Sequence, residues 1–312
     1  MDRFLKNFIL FLGFTGIGYC LILCVWSYLI PFDALKKNMN YRVGSYGHMH
    51  TRMKEVRQVK EIDVLILGSS HAYRGFDPRI FRESGIEIFN MGSSNQTPKQ
   101  ALSLLKTYID RLNPQLVIYE VYPGIFQHDG VESSLDIIAN EPLNWRTIDM
   151  ALTVNHLKTY NTLIFDVFVE SLGLYDSYQE PLTRGDDLYV SGGYVEKSDN
   201  YTRQQTRREK SSWKLRQDQL NLLSDISDFV EMKNIDFLMI QSPVDSINFR
   251  SIRNQEEIDK VFESEGDYIN LNNLMNLSYP EDLYDLHHLR QSGVDKFNRL
   301  LISVLEERGF LK

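Results

Sequence analysis

The chain has 312 residues, 43% of them hydrophobic, which is enough for one large domain or two small ones with a sizeable core. A formal net charge of −8, with no basic stripe to neutralise phosphates, gives no sign of a nucleic-acid partner. Both cysteines, Cys20 and Cys24, fall near the N-terminus, so the remainder of the chain has no disulfide and no thiol nucleophile or thiol ligand.

Asn7 to Phe32 carries no charged residue and is long enough to cross a hydrocarbon core of roughly 30 Å as a helix. Trp26 and Tyr28 near its far end fit an interfacial aromatic belt. A cleaved signal peptide and a buried core helix are the other readings of such a run. It is long for a signal h-region, no A-x-A site follows, and it lacks the polar face of a core helix. The expectation is one uncleaved anchor over residues 1–32, with Cys20 and Cys24 facing lipid or packing. Arg3 and Lys6 precede it and Lys36, Lys37 and Arg42 follow, so the charge rule does not orient it. From the short N-terminal tail, the expectation is a single-pass membrane protein with its bulk on the extracytoplasmic side, periplasmic or outer. Residues 33–60 are expected to be a polar juxtamembrane linker ending in a short helix, with His48 and His50 solvated.

Val64 to Leu67 (VLIL) is a short apolar run that ends in Gly68-Ser69-Ser70, the pattern of a buried parallel strand entering a tight turn. A serine just past such a strand sits at the sheet edge where ligands bind, so Ser70 is a candidate nucleophile; a plain turn is the other reading. His71 leaves that turn on the helix side, poorly placed to accept the Ser70 proton, and is assigned to the rim. A helix from Arg79 to Ser84 ends at Gly85, and Ile86 to Asn90 forms the second strand. Thr97-Pro98 caps a helix running to Leu112, Asn113-Pro114 stops it, and Leu116 to Val121 is the third strand. This alternation implies a right-handed parallel sheet with helices on both faces. Glu120, at the end of the third strand, either points toward the site or is a buried carboxylate satisfied by amides.

From about 126 to 210 the alternation lapses, and the segment reads as an insertion or cap. Its tyrosines, with Trp145, either form a carbohydrate-facing surface or pack a small cap. Ser212 to Met232 is an amphipathic helix whose stripe, Trp213 included, reads as core. Asp236 to Ile240 and Tyr268 to Leu271 are the fourth and fifth strands, and a helix from about Ser292 to Arg308 closes the chain. Just ahead of that helix, Asp285-Leu286-His287-His288 places an acid and a base three residues apart. A serine hydroxyl needs a base, and the base needs a third group to fix its tautomer. Spacing favours His288 as base over His287, with Asp285 as orienter.

Gly68-Ser69-Ser70-His71 after the first strand, Gly92-Ser93-Ser94-Asn95 after the second and Asp285-x-x-His288 near the C-terminus resemble the SGNH (GDSL-like) hydrolase superfamily. Within it, the resemblance is to the membrane-anchored members that accompany membrane-bound O-acyltransferases in cell-surface polymer modification. The resemblance implies a three-layer α/β/α fold of SGNH or flavodoxin-like type over residues 61–312, with Ser70, His288 and Asp285 catalytic. It also implies an oxyanion hole built from the amides of Ser70 and Gly92. The family's Gly-x-Asn-Asp block is replaced here by Glu120-Val121-Tyr122-Pro123-Gly124, so either Asn95 supplies the third donor or the hole has two. The implied function is an O-acetyltransferase or acetylesterase acting on a surface polysaccharide, with no metal and no organic cofactor because the triad completes the chemistry. The alternative is a non-catalytic anchored protein that binds glycan or docks a membrane-bound O-acyltransferase.

Overall fold

The apolar runs pair into one five-stranded sheet in a computed structural model, which describes residues 2–30, 32, 35, 38–44, 46–198, 200–203 and 209–311. The sheet contains β1 (Val64–Leu67), β2 (Ile88–Asn90), β3 (Leu116–Glu120), β7 (Asp236–Gln241) and β8 (Tyr268–Asn270). All neighbours run parallel in the order β2-β1-β3-β7-β8. Counting only the strands of this sheet, the order is that of a flavodoxin-like doubly wound fold, whose switch point lies between β1 and β3. β1 and β3 are buried at every position, as central parallel strands must be.

The helices are α1 (Asp2–Leu29), α2 (Met49–Val56), α3 (Ser70–Gly75), α4 (Pro78–Glu83), α5 (Pro98–Leu112), α6 (Val131–Asn140), α7 (Trp145–Val154) and α8 (Leu157–Ser171). The remaining α-helices among the described residues are α9 (Leu174–Ser177), α10 (Gln217–Glu231), α11 (Ser246–Phe249), α12 (Gln255–Glu265) and α13 (Gln291–Glu307). Strand side chains alternate between two cores. Leu65, Leu67, Val117, Tyr119 and Met239 pack with α2, α5, α10 and α12. Val64, Ile66, Ile118, Leu238 and Ile240 pack with α3, α4 and α13 on the other face.

Local chemistry sets several boundaries. The Thr97/Gln100 capping box and Pro98 start α5, as the sequence predicts. The helix read from Ser212 begins only at Gln217; Trp213 precedes it and donates its amide to Asn254 Oδ1 at 2.9 Å. Trp213 is therefore not a member of that helical stripe.

Residues 131–197 hold α6–α9 and a second, antiparallel sheet of β4 (Thr183–Arg184), β5 (Asp187–Val190) and β6 (Tyr194–Lys197). α6 docks on the loop after β2 through Ser133 to Ser93 (2.8 Å) and Glu132 to Ser94 (2.9 Å). The β5–β6 turn presses on the end of β2. Gly193, at φ 88, lies so close to Asn90 that a Cβ would sit 2.0 Å from the Asn90 carbonyl oxygen, so no other residue fits there. Arg74 grips β5 through a two-pronged ion pair with Asp187 (3.0 and 2.8 Å). Tyr175, Tyr189 and Tyr194 are buried and serve packing, whereas Trp145 is exposed.

α1 is long and apolar enough to cross a membrane, and most of its surface is exposed. Its C-terminal part is not detached from the domain: Cys24 packs against Phe165 and Val169 of α8, and Ser27 donates to Asn40 at 2.6 Å. Asp33, Lys36 and Lys37, read as part of the linker after the anchor, lie outside the described residues. His48 and His50 are not solvated as expected, but 1% and 4% exposed. The reason is α2, whose Met49, Met53 and Val56 insert into the core and carry both imidazoles inward.

Asn298 of α13 ties the C-terminal helix to the segment leaving Ser70. Its Nδ2 donates to the Gly75 carbonyl at 2.6 Å, and its Oδ1 accepts the Asp77 amide at 3.0 Å. Asn298 is fully buried, so Asn298→Leu leaves a buried donor and a buried acceptor without partners. Denaturant unfolding in detergent is expected to show a loss of roughly 2–4 kcal/mol. A loss below about 0.5 kcal/mol, the size of a neutral surface change, would remove Asn298 as the tie.

Candidate active site

β1 must turn within two residues to deliver Ser70 to the first position of α3, and Gly68 makes this possible. At φ 137 it lies against β3, where a Cβ would come within 2.7 Å of the Glu120 Cβ. Its amide donates to Gln96 Oε1 at 2.9 Å, and its carbonyl accepts the Ser93 amide at 3.1 Å. The loops after β1 and β2 are thus tied together. Ser69 is the N-cap of α3: its Oγ accepts the His71 amide at 3.3 Å and donates to Glu120 Oε2 at 3.3 Å.

Ser70 and His288, 218 residues apart, meet there: Ser70 Oγ lies 2.7 Å from His288 Nε2. The other ring nitrogen, Nδ1, lies 2.9 Å from Asp285 Oδ2. Asp285 Oδ1 accepts the amides of His287 (2.9 Å) and His288 (2.7 Å), so the carboxylate also shapes the turn that carries the base. The turn is closed by the Tyr284 amide to the His288 carbonyl at 3.1 Å, and the Tyr284 ring stacks on His288. Burial opposes ionisation of Asp285, but the hydrogen bond and charge of His288, with His287 behind it, hold the carboxyl well below the usual range. A carboxylate fixing Nδ1–H leaves Nε2 as the acceptor facing the serine hydroxyl, the order needed for proton abstraction.

The residues read as oxyanion donors are not gathered in the same way. The Ser70 amide opens α3, where helix geometry supplies no intrahelical acceptor, and it has no hydrogen bond among the described residues. The Gly92 amide instead donates to Asn90 Oδ1 at 3.0 Å. Gly92 has a packing reason to be glycine: a Cβ would come within 2.9 Å of the Tyr73 amide and the Ala72 Cβ. The Asn95 side chain donates to Glu132 at 2.6 Å and lines a separate hollow with His128, His156 and Lys158. Asn95 is drawn there because α6 presents Glu132 to the loop after β2.

His71 and His287 lie beside the base rather than at the rim alone. His71 is 5% exposed, and its Nε2 is 3.2 Å from His287 Nδ1. Its ring stacks on Tyr122 at 4.1 Å, and Trp213 meets Tyr122 edge-on at 5.8 Å. Burial, reinforced by His288 and His287, pushes His71 well below the usual imidazole range. Tyr122 and Trp213 were not among the site residues read from sequence. Tyr122 was within reach of that reading, because it follows the C-terminal end of a central strand. Trp213 was hidden by an apolar periodicity that continues past the true start of α10.

Glu120 takes the buried-carboxylate role. It is 2% exposed, and burial raises it from an ordinary 4.5 to about 8, against the opposing bonds from Ser242 and Ser69. The folded chain therefore keeps Glu120 protonated where the unfolded chain ionises it. Its contribution to stability is present below about pH 4.5 and is lost as pH rises to about 8. Glu120→Gln keeps the shape without the ionisation. The difference in melting temperature, variant minus parent, is expected to grow from pH 4.5 to pH 8 and then level off. A difference that stays constant across that window would contradict a protonated Glu120.

No family model matches this sequence, and no curated protein matches it. Among solved structures, the chain is similar to a GDSL-like lipase from Bacteroides thetaiotaomicron, with 11% identity over 84% of this chain and 98% of that one and a TM-score of 0.41. It is also similar to a family 3 carbohydrate esterase from Clostridium thermocellum, with 11% identity over 80% and 98% and a TM-score of 0.35. At that distance neither likeness specifies the chemistry of this chain.

Proposed function

We propose that the protein is a serine acyl-transfer enzyme, an O-acetyltransferase or acetylesterase that acts on a cell-surface polysaccharide. The observation that carries this reading is the continuous chain from Ser70 Oγ through His288 to Asp285, at 2.7 and 2.9 Å. In this mechanism Ser70 Oγ attacks an ester carbonyl while His288 Nε2 takes its proton, and Asp285 stabilises the imidazolium. His288 then returns the proton to the leaving alcohol, and an acyl-Ser70 remains. An acceptor hydroxyl, deprotonated by His288, then attacks the acyl carbon, the bond to Ser70 Oγ breaks and His288 returns the proton to Ser70: water makes the reaction an esterase reaction, and a sugar hydroxyl makes it a transferase reaction. The Ser70 amide, at the start of α3, is the donor that this site offers to the developing oxyanion. The apolar helix α1 supports an anchored enzyme; in this reading its catalytic domain works outside the cytoplasm, beside a membrane-bound O-acyltransferase that supplies or shares the acyl group.

One observation favours a second reading. The Gly92 amide and the Asn95 side chain are both engaged elsewhere, which leaves the hole short of donors. A non-catalytic, membrane-anchored protein that binds glycan or docks the acyltransferase needs no such hole.

The full-length chain in detergent, exposed to a serine-directed phosphonate and followed by intact mass, separates the two. The acyl-transfer reading expects one adduct, mapped to Ser70 and absent in Ser70→Ala. His288→Ala is expected to slow labelling by about 10²–10⁴-fold. Asp285→Asn, which keeps the shape but loses the tautomer control, is expected to slow it by up to about 10⁴-fold. A folded protein that gives no adduct under any condition would leave the docking reading standing.

A further inference from the structure

A serine–histidine–carboxylate relay uses one imidazole, yet three converge here. The nearest ligand atoms of His71, His287 and His288 all lie within 4.8 Å of one another, and His71 comes from a segment more than 200 residues away from the other two. We propose that these three histidines form a binding site for a divalent transition-metal ion of the zinc type, and that occupation of this site takes His288 away from Ser70 and so switches the nucleophile off.

The geometry of the first two ligands is close to what an ion requires. His71 Nε2 and His287 Nδ1 are 3.2 Å apart. Two nitrogens on a tetrahedral zinc, each bonded at about 2.0–2.1 Å, stand roughly 3.3–3.4 Å apart. The same pair makes an ordinary hydrogen bond without the ion, so the site is held assembled in both states. His71 cannot swing away, since it is buried and its ring lies on Tyr122. His287 is fixed by its amide on Asp285 Oδ1.

The third ligand has the outer partner that metal sites use. Metal-bound imidazoles commonly donate their second nitrogen to a carboxylate, which sets the tautomer and the ring plane. His288 already makes that contact, Nδ1 to Asp285 Oδ2 at 2.9 Å, which leaves Nε2 as its ligand atom. Nε2 is also the atom 2.7 Å from Ser70 Oγ. An ion on Nε2 and a proton transfer from Ser70 are therefore mutually exclusive. Three imidazole nitrogens with no thiolate and no first-contact carboxylate select zinc, copper, nickel or cobalt over calcium and magnesium. A fourth position is left for water. No bond of the acyl group is made or broken through the ion, so it is an inhibitor and not a cofactor.

Metal binding itself does not depend on the acyl-transfer reading, whereas its effect on Ser70 does, and the test reads the two separately. Untagged full-length protein in detergent, stripped with chelator, is titrated with Co²⁺ and then competed with Zn²⁺. The expected result is one ion per chain with the visible absorption of four-coordinate cobalt. His71→Gln and His287→Gln should each weaken binding by more than about 100-fold, beyond the loss that an outer partner causes. Ser70→Ala should bind at least as tightly as the parent, because the competing hydrogen bond is gone. Circular dichroism melts establish that each variant is folded, and His48→Gln and His50→Gln serve as controls. No binding, six-coordinate cobalt only, or loss of binding in the controls and not in the named variants overturns the site. In a second arm, Zn²⁺ should slow phosphonate labelling of Ser70 in step with its occupancy, and chelator should restore it. Labelling that is unchanged at saturating Zn²⁺ overturns the switch while leaving the triad intact. Absence of labelling without metal refutes the acyl-transfer reading and the switch that rests on it, while the cobalt titration still decides the site.

Discussion

The site depends on a hydrogen bond that the sheet does not bring about by itself. Ser70 follows β1, whereas His288 follows β8, and β1 and β8 are separated in the sheet by β3 and β7. At about 4.8 Å per strand the chain after β8 must travel back roughly 14 Å across the strand ends to reach the serine. It does so in stages: the Leu286 carbonyl is caught by the Asp245 amide at 3.2 Å, and Asp245 Oδ1 holds the Tyr279 amide at 3.1 Å. α13 then packs along α3 and α4, with Phe297 edge-on to Phe76 and Asn298 bonded to Gly75 and Asp77. Placement of the base is thus a property of the return loop and of α13 together.

Two carboxyl groups at this edge of the sheet are driven in opposite directions by what stands beside them. Asp285 accepts two amides and an imidazole, and stays ionised although it is 1% exposed. Glu120, buried to a similar degree, accepts the Ser69 hydroxyl at 3.3 Å, the Ser242 amide at 3.5 Å and the Tyr122 amide, yet burial prevails. Desolvation and hydrogen bonds to the charged form are common to both; the two histidines beside Asp285 separate them. The result is a fixed negative charge behind the base and a neutral acid beneath the nucleophile's turn.

The insertion acts on the same edge from the other side. Its helix α6 holds the loop after β2 through Ser133 and Glu132, and its β5–β6 turn seals β2, the edge strand, against further pairing. Its α8 also receives the end of α1 through Phe165, Val169 and Asn161. Packing contacts thus run from the end of α1 through α8 and α6 to the loop after β2. Arg74, one turn along α3 from the serine, completes the connection through Asp187 of β5.

Much of this was written in local sequence, for reasons that act over a few residues. Apolar runs of strand length, the Gly68 turn, the Thr97-Pro98 cap and the stripe of α13 are decided by backbone sterics and periodicity, so the parallel α/β sheet was legible. Ser70, Asp285 and His288 were legible as residue types at turns, because a serine after a strand and an acid three residues before a histidine are local patterns. Which donors face the serine was not. The fates of the Gly92 amide and the Asn95 side chain were decided by Asn90 and by Glu132 of α6, partners that only the folded chain supplies. His48 and His50 looked solvated because their own neighbourhood is polar, and the tertiary docking of α2 buried them. The meeting of His71 with His287, and of both with Tyr122, joins three segments far apart in the chain. Sequence alone determined which groups were available for chemistry; the path of the return loop and the docking of the insertion decided which of them meet, because hydrogen bonds are set by ångström distances that no local pattern encodes.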